Sequence, residues 1–228
     1  MQKKELIILI ILTVVISNLI FLFSYKMLVY DQDFYEKEFK NNGVYDKYNK
    51  TFVDEQHKEV IGFLITDQPI ITSDHFSKQD KEHLRDVEVL MKKIDYFSYV
   101  FVISLLIVFV YLHVFYKKLK DKIFTLSVFY SSMINLITLG ILYLLSLNFD
   151  WFFTKFHELS FDNNLWMMNP AKDMLVNLYP ETFWINAFSR IMLTILVLSL
   201  IFTFIGYLGY YFISKHTKLK EKNIESKT

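Results

Sequence analysis

At 228 residues, 53% apolar and 18% aromatic, with only five glycines and three prolines, the chain is too apolar for a soluble domain of its length. It contains no cysteine, which excludes thiol catalysis and disulfides. The net charge of +1 hides a segregation of charge along the chain, and that segregation carries the information.

The first apolar stretch, 6–25, is too long for the core of a cleaved signal peptide, and large residues follow it in "SYKMLVYDQDFY". An uncleaved signal anchor is expected. Three more stretches, 96–116, 123–147 and 191–213, also lack Asp, Glu, Lys and Arg. Each of the four is long enough to cross about 30 Å of hydrocarbon, which takes roughly 20 helical residues. The fold class expected is therefore an all-α membrane protein of four transmembrane helices, with a small extracytoplasmic cap and an amphipathic outer loop.

Charge sets the orientation. The N-terminal end, the 117–122 loop "KKLKDK" and the tail after Ile213 together hold 11 Lys against 4 acidic residues. Residues 26–95 hold 11 basic and 15 acidic residues, and 148–187 hold 2 and 5. The positive-inside rule puts both termini and the 117–122 loop in the cytoplasm, with 26–95 and 148–190 outside. The division is thus 1–25 (N-terminus and first span), 26–95 (cap), 96–116 (second span), 117–122 (loop), 123–147 (third span), 148–190 (outer loop), 191–213 (fourth span) and 214–228 (tail).

Within the cap, "NNGVYDKYN" signals a turn between two patterned stretches. "KEVIGFLITDQPIIT" mixes β-branched and aromatic residues with a Pro break, leaving strand or helix open. Ser77 and Asp80 have the spacing of a capping box. Beyond them, Leu84, Val87, Leu90 and Met91 recur at helical spacing, so this helix should run on into the second span. In the third span Ser127, Ser131 and Asn135 share a face, where interhelical hydrogen bonding is the expected use and a polar substrate path the sharper alternative. Ser17 and Asn18 receive the same reading as the former.

The outer loop is rich in aromatics and Met (Trp151, Phe152, Phe153, Phe156, Phe161, Trp166, Met167, Met168) yet repeatedly broken by polar residues and Pro170. It should lie at the membrane interface, where acyl chains and wet polar groups can meet.

Of six histidines, His216 is in the tail, and snorkelling explains His113. His57 and His75 have no supporting pattern. His83 and His157 stand out because imidazole moves protons near neutral pH and both would face outward. Asp86 is one turn from His83 on the same helical face, and Glu158 adjoins His157. Two His with carboxylates could also hold zinc, although no H-E-x-x-H spacing exists, and no G-x-S-x-G elbow marks a Ser nucleophile. Asn49-Lys50-Thr51 matches a glycosylation sequon, a pattern common by chance. Arg190, near the outer end of the fourth span, should snorkel or pair with Glu181, Asp173 or Asp86; stabilising a developing oxyanion is its sharper alternative.

"EHLRDV" before the second span, and "FHELSF" followed by "W", "NP", "D", "L" and "YPETFW" before the fourth, resemble the bacterial lipoprotein intramolecular transacylase family. Topology and loop sizes match as well, so the resemblance covers nearly the whole chain. It implies an enzyme of the bacterial plasma membrane that moves the sn-2 acyl chain of an S-diacylglyceryl-Cys lipoprotein to that lipoprotein's own α-amino group, leaving the lyso form. The family's functional histidines fall on His83 and His157, with Asp86, Glu158 and Arg190 as supporting groups. Expected partners are the lipoprotein substrate and membrane lipid; no cofactor, metal, nucleic acid or obligate protein partner is expected. A non-catalytic four-span subunit or lipid-binding module, and a zinc-dependent membrane hydrolase, are the competing readings.

Overall fold

The computed structural model describes residues 2–66, 68, 70–116 and 119–225. Lys117 and Lys118 of the expected loop, Pro69 of the expected break, and the last three residues of the tail lie outside the described residues. The described elements are helical: α1 (Lys3–Val29), α2 (Gln32–Asn41), α3 (Val44–Lys47), α4 (Lys50–Ile65), α5 (Lys78–Phe115), α6 (Lys120–Ser146), α7 (Phe149–Ser160), α8 (Leu175–Leu178) and α9 (Glu181–Glu225). Four of them, α1, α5, α6 and α9, are long and apolar enough to cross a membrane. The chain is an all-α, multi-pass integral membrane protein.

The spanning helices outrun the apolar stretches that announce them. At 1.5 Å per residue the 38 residues of α5 extend about 57 Å, nearly twice the hydrocarbon core. Its run from Tyr96 carries no Asp, Glu, Lys or Arg, whereas the residues before that run are rich in charge. The Ser77–Asp80 capping box forms as its spacing predicts: Ser77 N–H donates to Asp80 Oδ2 at 2.9 Å, and Asp80 N–H donates to Ser77 Oγ at 3.0 Å.

The chain divides into two compact units. Unit 1 comprises residues 1–25, 97–143 and 192–228. Its interior combines Leu12, Leu112, Ile123 and Ile195 with the fully buried Ser127, Ser131, Ser132, Asn135 and Ser199, while most other large apolar side chains of α1, α5, α6 and α9 point outward, as lipid-facing surfaces do. Ser17 Oγ donates to Asn135 Oδ1, so the α6 polar face does serve interhelical bonding. Ser127, Ser131 and Ser132 direct their hydroxyls to carbonyls of their own helix, and Ser127 Oγ also lies 3.4 Å from the Leu9 carbonyl of α1.

Backbones in unit 1 approach closely at Gly206, where a Cβ would lie 2.9 Å from Phe129 Cβ and 3.0 Å from its Cα. Gly206→Val should therefore destabilise by about 1–3 kcal/mol, the usual cost of overpacking. The check is the thermal midpoint of the detergent-solubilised protein, and an unchanged midpoint would contradict close α6–α9 packing.

Unit 2 comprises residues 26–96 and 144–191. Leu28, Phe39, Val53, Val60, Phe63 and Leu84 share one hydrophobic cluster with Met174, Leu178, Tyr179 and Phe183. The two long connecting segments thus bury each other's apolar faces. Gly43, with φ 68°, makes the turn the sequence signals, and α4 resolves residues 58–65 of the ambiguous 58–72 stretch as helix.

His57 belongs to this core, its Nδ1 sharing a 2.8 Å hydrogen bond with the Tyr179 hydroxyl and its ring 4.4 Å from that of Tyr35. Burial pushes its pKa down to about 4, against the smaller opposing pull of Asp54. A histidine kept neutral when folded but ionising near 6.5 when unfolded costs stability as pH falls from 6.5 towards 4, by about 3 kcal/mol in full. Acidification from pH 7 to 5 should lower the thermal midpoint, and His57→Gln should flatten that dependence. An identical acid slope in the variant would contradict the assignment.

Candidate active site

The site grows from two helices of unit 2. In the polar half of α5, Gln79 and Asp80 lie four and three residues before His83 and Asp86 lies three after it, so all flank one helical face. Helix α7 starts at Asn148, whose side chain caps it by accepting from Trp151 N–H at 3.1 Å, and it ends one turn after His157. The 161–174 segment then returns over both histidines.

The structure brings His83 and His157 together, with ring centroids 6.1 Å apart and planes inclined by 33°. Both are buried. Aromatic rings surround His157: Phe153 at 4.1 Å, Trp166 at 4.9 Å, Phe156 at 5.3 Å and Phe161 at 5.7 Å between centroids. Phe161 also meets His83 edge-on at 5.1 Å.

Nδ1 of His157 lies 2.7 Å from the Phe153 carbonyl oxygen. A carbonyl can only accept, so the neutral ring carries its proton on Nδ1 and keeps the Nε2 lone pair bare. Burial lowers the pKa of His157, while the Phe153 carbonyl opposes that shift by favouring the cation. His83 is pushed down to about 4, first by burial, then by the neighbouring His157 charge, with Asp86 pulling upward. Both imidazoles are therefore neutral at neutral pH, and one proton placed on the pair resists a second.

Asp86 is close enough to act on His83 through its charge, yet its Oδ2 accepts from Asn163 Nδ2 at 2.8 Å, and the buried His83 Nδ1 has no hydrogen-bond partner. Asp86 therefore does not fix the His83 tautomer through that nitrogen. Glu158 makes an ion pair with Lys155, both half-exposed. Arg190 pairs with Asp31 at 3.5 Å, a partner not among those its sequence position suggested. Asp173 accepts instead from Ser77 Oγ and Asn169 N–H, and Asp80 accepts from the Met174 and Leu175 amides. Among the described residues, no group of three or more His, Asp or Glu side chains gathers as a metal-ligand set.

Sequence reasoning reads Trp166 as one interfacial aromatic among many and does not single out Asn163. The available signal is the Asn163–Asn164 pair just before Trp166, since Asn residues build turns that fold a chain back on itself.

Fold and site together define an integral membrane protein of four spans with two neutral imidazoles side by side in a buried aromatic setting. Residues 8–184 match the family described as Lipoprotein intramolecular transacylase Lit, and the chain belongs to that family of enzymes. Three solved structures share the fold. An in meso structure of the membrane integral lipoprotein intramolecular transacylase from Bacillus cereus is 24% identical, with a TM-score of 0.78 over 95% of this chain and 98% of that one. Two variants of the same protein, with one histidine replaced by arginine or by alanine, are each 22% identical. Their TM-scores are 0.76 and 0.75, covering 95% of this chain in both cases and 95% and 96% of theirs. Comparison with curated proteins finds no match.

Proposed function

We propose that the protein moves the sn-2 acyl chain of an S-diacylglyceryl-Cys lipoprotein to the lipoprotein's own α-amino group, with His157 as general base and His83 as its proton-handling partner. The observation that carries this reading is the 2.7 Å contact from His157 Nδ1 to the Phe153 carbonyl, which leaves Nε2 as a bare acceptor next to a second imidazole.

The amine nitrogen attacks the ester carbonyl carbon, forming the N–C bond and a tetrahedral oxyanion. His157 Nε2 takes the proton that the nitrogen sheds. The C–O bond to glycerol then breaks, and the same proton passes to the departing glycerol oxygen, directly or across His83. Ester and amine become amide and alcohol with no net gain or loss of protons. His83, neutral at neutral pH, serves best as an N–H donor to the oxyanion or leaving oxygen, and Asp86 steadies the positive charge that appears on the pair. Donor and acceptor belong to one molecule, so holding them in place supplies much of the acceleration.

The lysine distribution supports both termini and the 117–122 loop in the cytoplasm, which puts unit 2 and its imidazoles at the outer leaflet. Expression in cells that make only diacylglyceryl lipoproteins tests the reading. Mass spectrometry of the N-terminal lipopeptide should show the N-acyl, S-monoacylglyceryl form, and unchanged diacyl peptide would sink it.

A further inference from the structure

We propose that Asn163 is a positioning residue of the imidazole pair: one carboxamide restrains the Asp86 carboxylate beside His83 and closes the turn that lays Trp166 against His157. The inference deepens the transacylase reading and rests on it.

Each half of the carboxamide has its own partner. Asn163 Nδ2 donates to Asp86 Oδ2 at 2.8 Å, and Asn163 Oδ1 accepts from Leu165 N–H at 3.0 Å. The second bond is an Asx turn, which reverses the chain within two residues. The reversal lets the Trp166 indole N–H donate to the Asn163 carbonyl at 3.0 Å and sets its ring 4.9 Å from His157, inclined by only 30°. Gln79 holds the far side of the turn, its Nε2 donating to the carbonyls of Leu165 at 3.0 Å and Met167 at 2.9 Å. From one loop residue, contacts therefore run to both histidines: through Asp86 to His83 and through Trp166 to His157.

The arrangement matters for proton transfer because His157 works only if its ring stays where Nε2 faces the reacting amine. Phe153 fixes one edge of the ring by a hydrogen bond, but a single bond leaves a swing about its axis. The Trp166 ring, together with those of Phe153, Phe156 and Phe161, limits that freedom. Asp86 in turn raises the proton affinity of His83 against the larger effects of burial and His157, and the Asn163 amide holds that carboxylate in place.

Two variants separate the two halves of the carboxamide. Asn163→Ala removes both bonds. Asn163→Asp keeps the oxygen that accepts from Leu165 but replaces the N–H donor with a second carboxylate facing Asp86. The charged groups acting on His83 are Asp86 from its own helix and His157 from α7, and the 161–174 segment presents Phe161 edge-on. Added negative charge there raises the proton affinity of His83.

With a diacylglyceryl lipopeptide as substrate, Asn163→Ala should lower kcat by about tenfold to a hundredfold, the cost of a misplacement of about 1 Å, with a smaller change in KM. Asn163→Asp should move the acid limb of the pH–rate profile upward by about half a unit to one unit. NMR titration of the histidine rings in micelles gives a second readout that needs no turnover, with His83→Gln assigning the resonance. It should show the same upward shift for His83 in Asn163→Asp.

Wild-type kcat and profile in both variants would overturn the proposal. Slow variants whose loss follows their thermal midpoints, with unshifted titrations, would overturn it too and reduce Asn163 to a brace. A wild-type protein that forms no lyso product, but whose His83 titration still shifts in Asn163→Asp, would sink the transacylase reading and leave the coupling standing.

Discussion

His157→Ala should lower the rate of acyl transfer by about 10²- to 10⁴-fold, the range a positioned general base supplies. The loss follows from the tautomer: the Phe153 carbonyl holds the proton on Nδ1, so the atom that vanishes with the ring is the unprotonated Nε2. His83→Ala should cost about 10²- to 10³-fold, the scale of removing one oxyanion donor. The pair acts as one unit, so the double variant should be little worse than His157→Ala alone. Free imidazole added to His157→Ala should restore part of the rate, since truncation opens space among Phe153, Phe156, Phe161 and Trp166. Product formation is followed by mass spectrometry of the purified variants. Full activity in either single variant would remove that histidine from the mechanism.

The largest stability effect should come from Asp80. Its carboxylate is fully buried and accepts backbone N–H groups from Ser77 at 2.9 Å, Met174 at 2.8 Å and Leu175 at 3.3 Å. Burial raises its pKa while those amides oppose the rise. One side chain thus caps α5 and pins a loop more than 90 residues away in sequence. Asp80→Ala leaves the three amides without an acceptor, at about 1–3 kcal/mol each, so a loss of roughly 3–9 kcal/mol is expected. Asp80→Asn, which keeps one carbonyl oxygen, should lose less. Thermal midpoints of the solubilised variants check the order, and limited proteolysis should find the 162–175 segment newly cleavable in Asp80→Ala. A wild-type midpoint in that variant would contradict the clamp.

How much of this was legible beforehand varies with the range of the interaction. The spans were readable because a run without charge such as 191–213 has only one low-energy environment. The capping box at Ser77 and Asp80 was readable because both bonds are local. His83 and His157 stood out by type and by sharing a side of the membrane under the charge rule.

Long-range pairings were not legible. The aromatic run at 151–168 reads as interfacial, and nothing local reveals that Trp166 is spent on one imidazole. Asp86 sits one turn from His83, and its capture by Asn163 depends on a loop 77 residues away. His57 looks like an isolated histidine until Tyr179, 122 residues on, supplies its partner. Arg190 pairs with Asp31 across 159 residues, a choice that spacing on its own helix could not predict. In each case the residue type was visible and the partner was set by packing within unit 2.

The most direct test of a one-molecule transfer at the imidazole pair uses the purified protein and two mixed substrates. One diacylglyceryl lipopeptide carries an isotopically heavy sn-2 acyl chain on a light peptide, and the other a light chain on a heavy peptide. The account predicts lyso products in which every peptide keeps its own acyl chain as the new amide. Chains scrambled between the two peptides, or no amide at all, would contradict it.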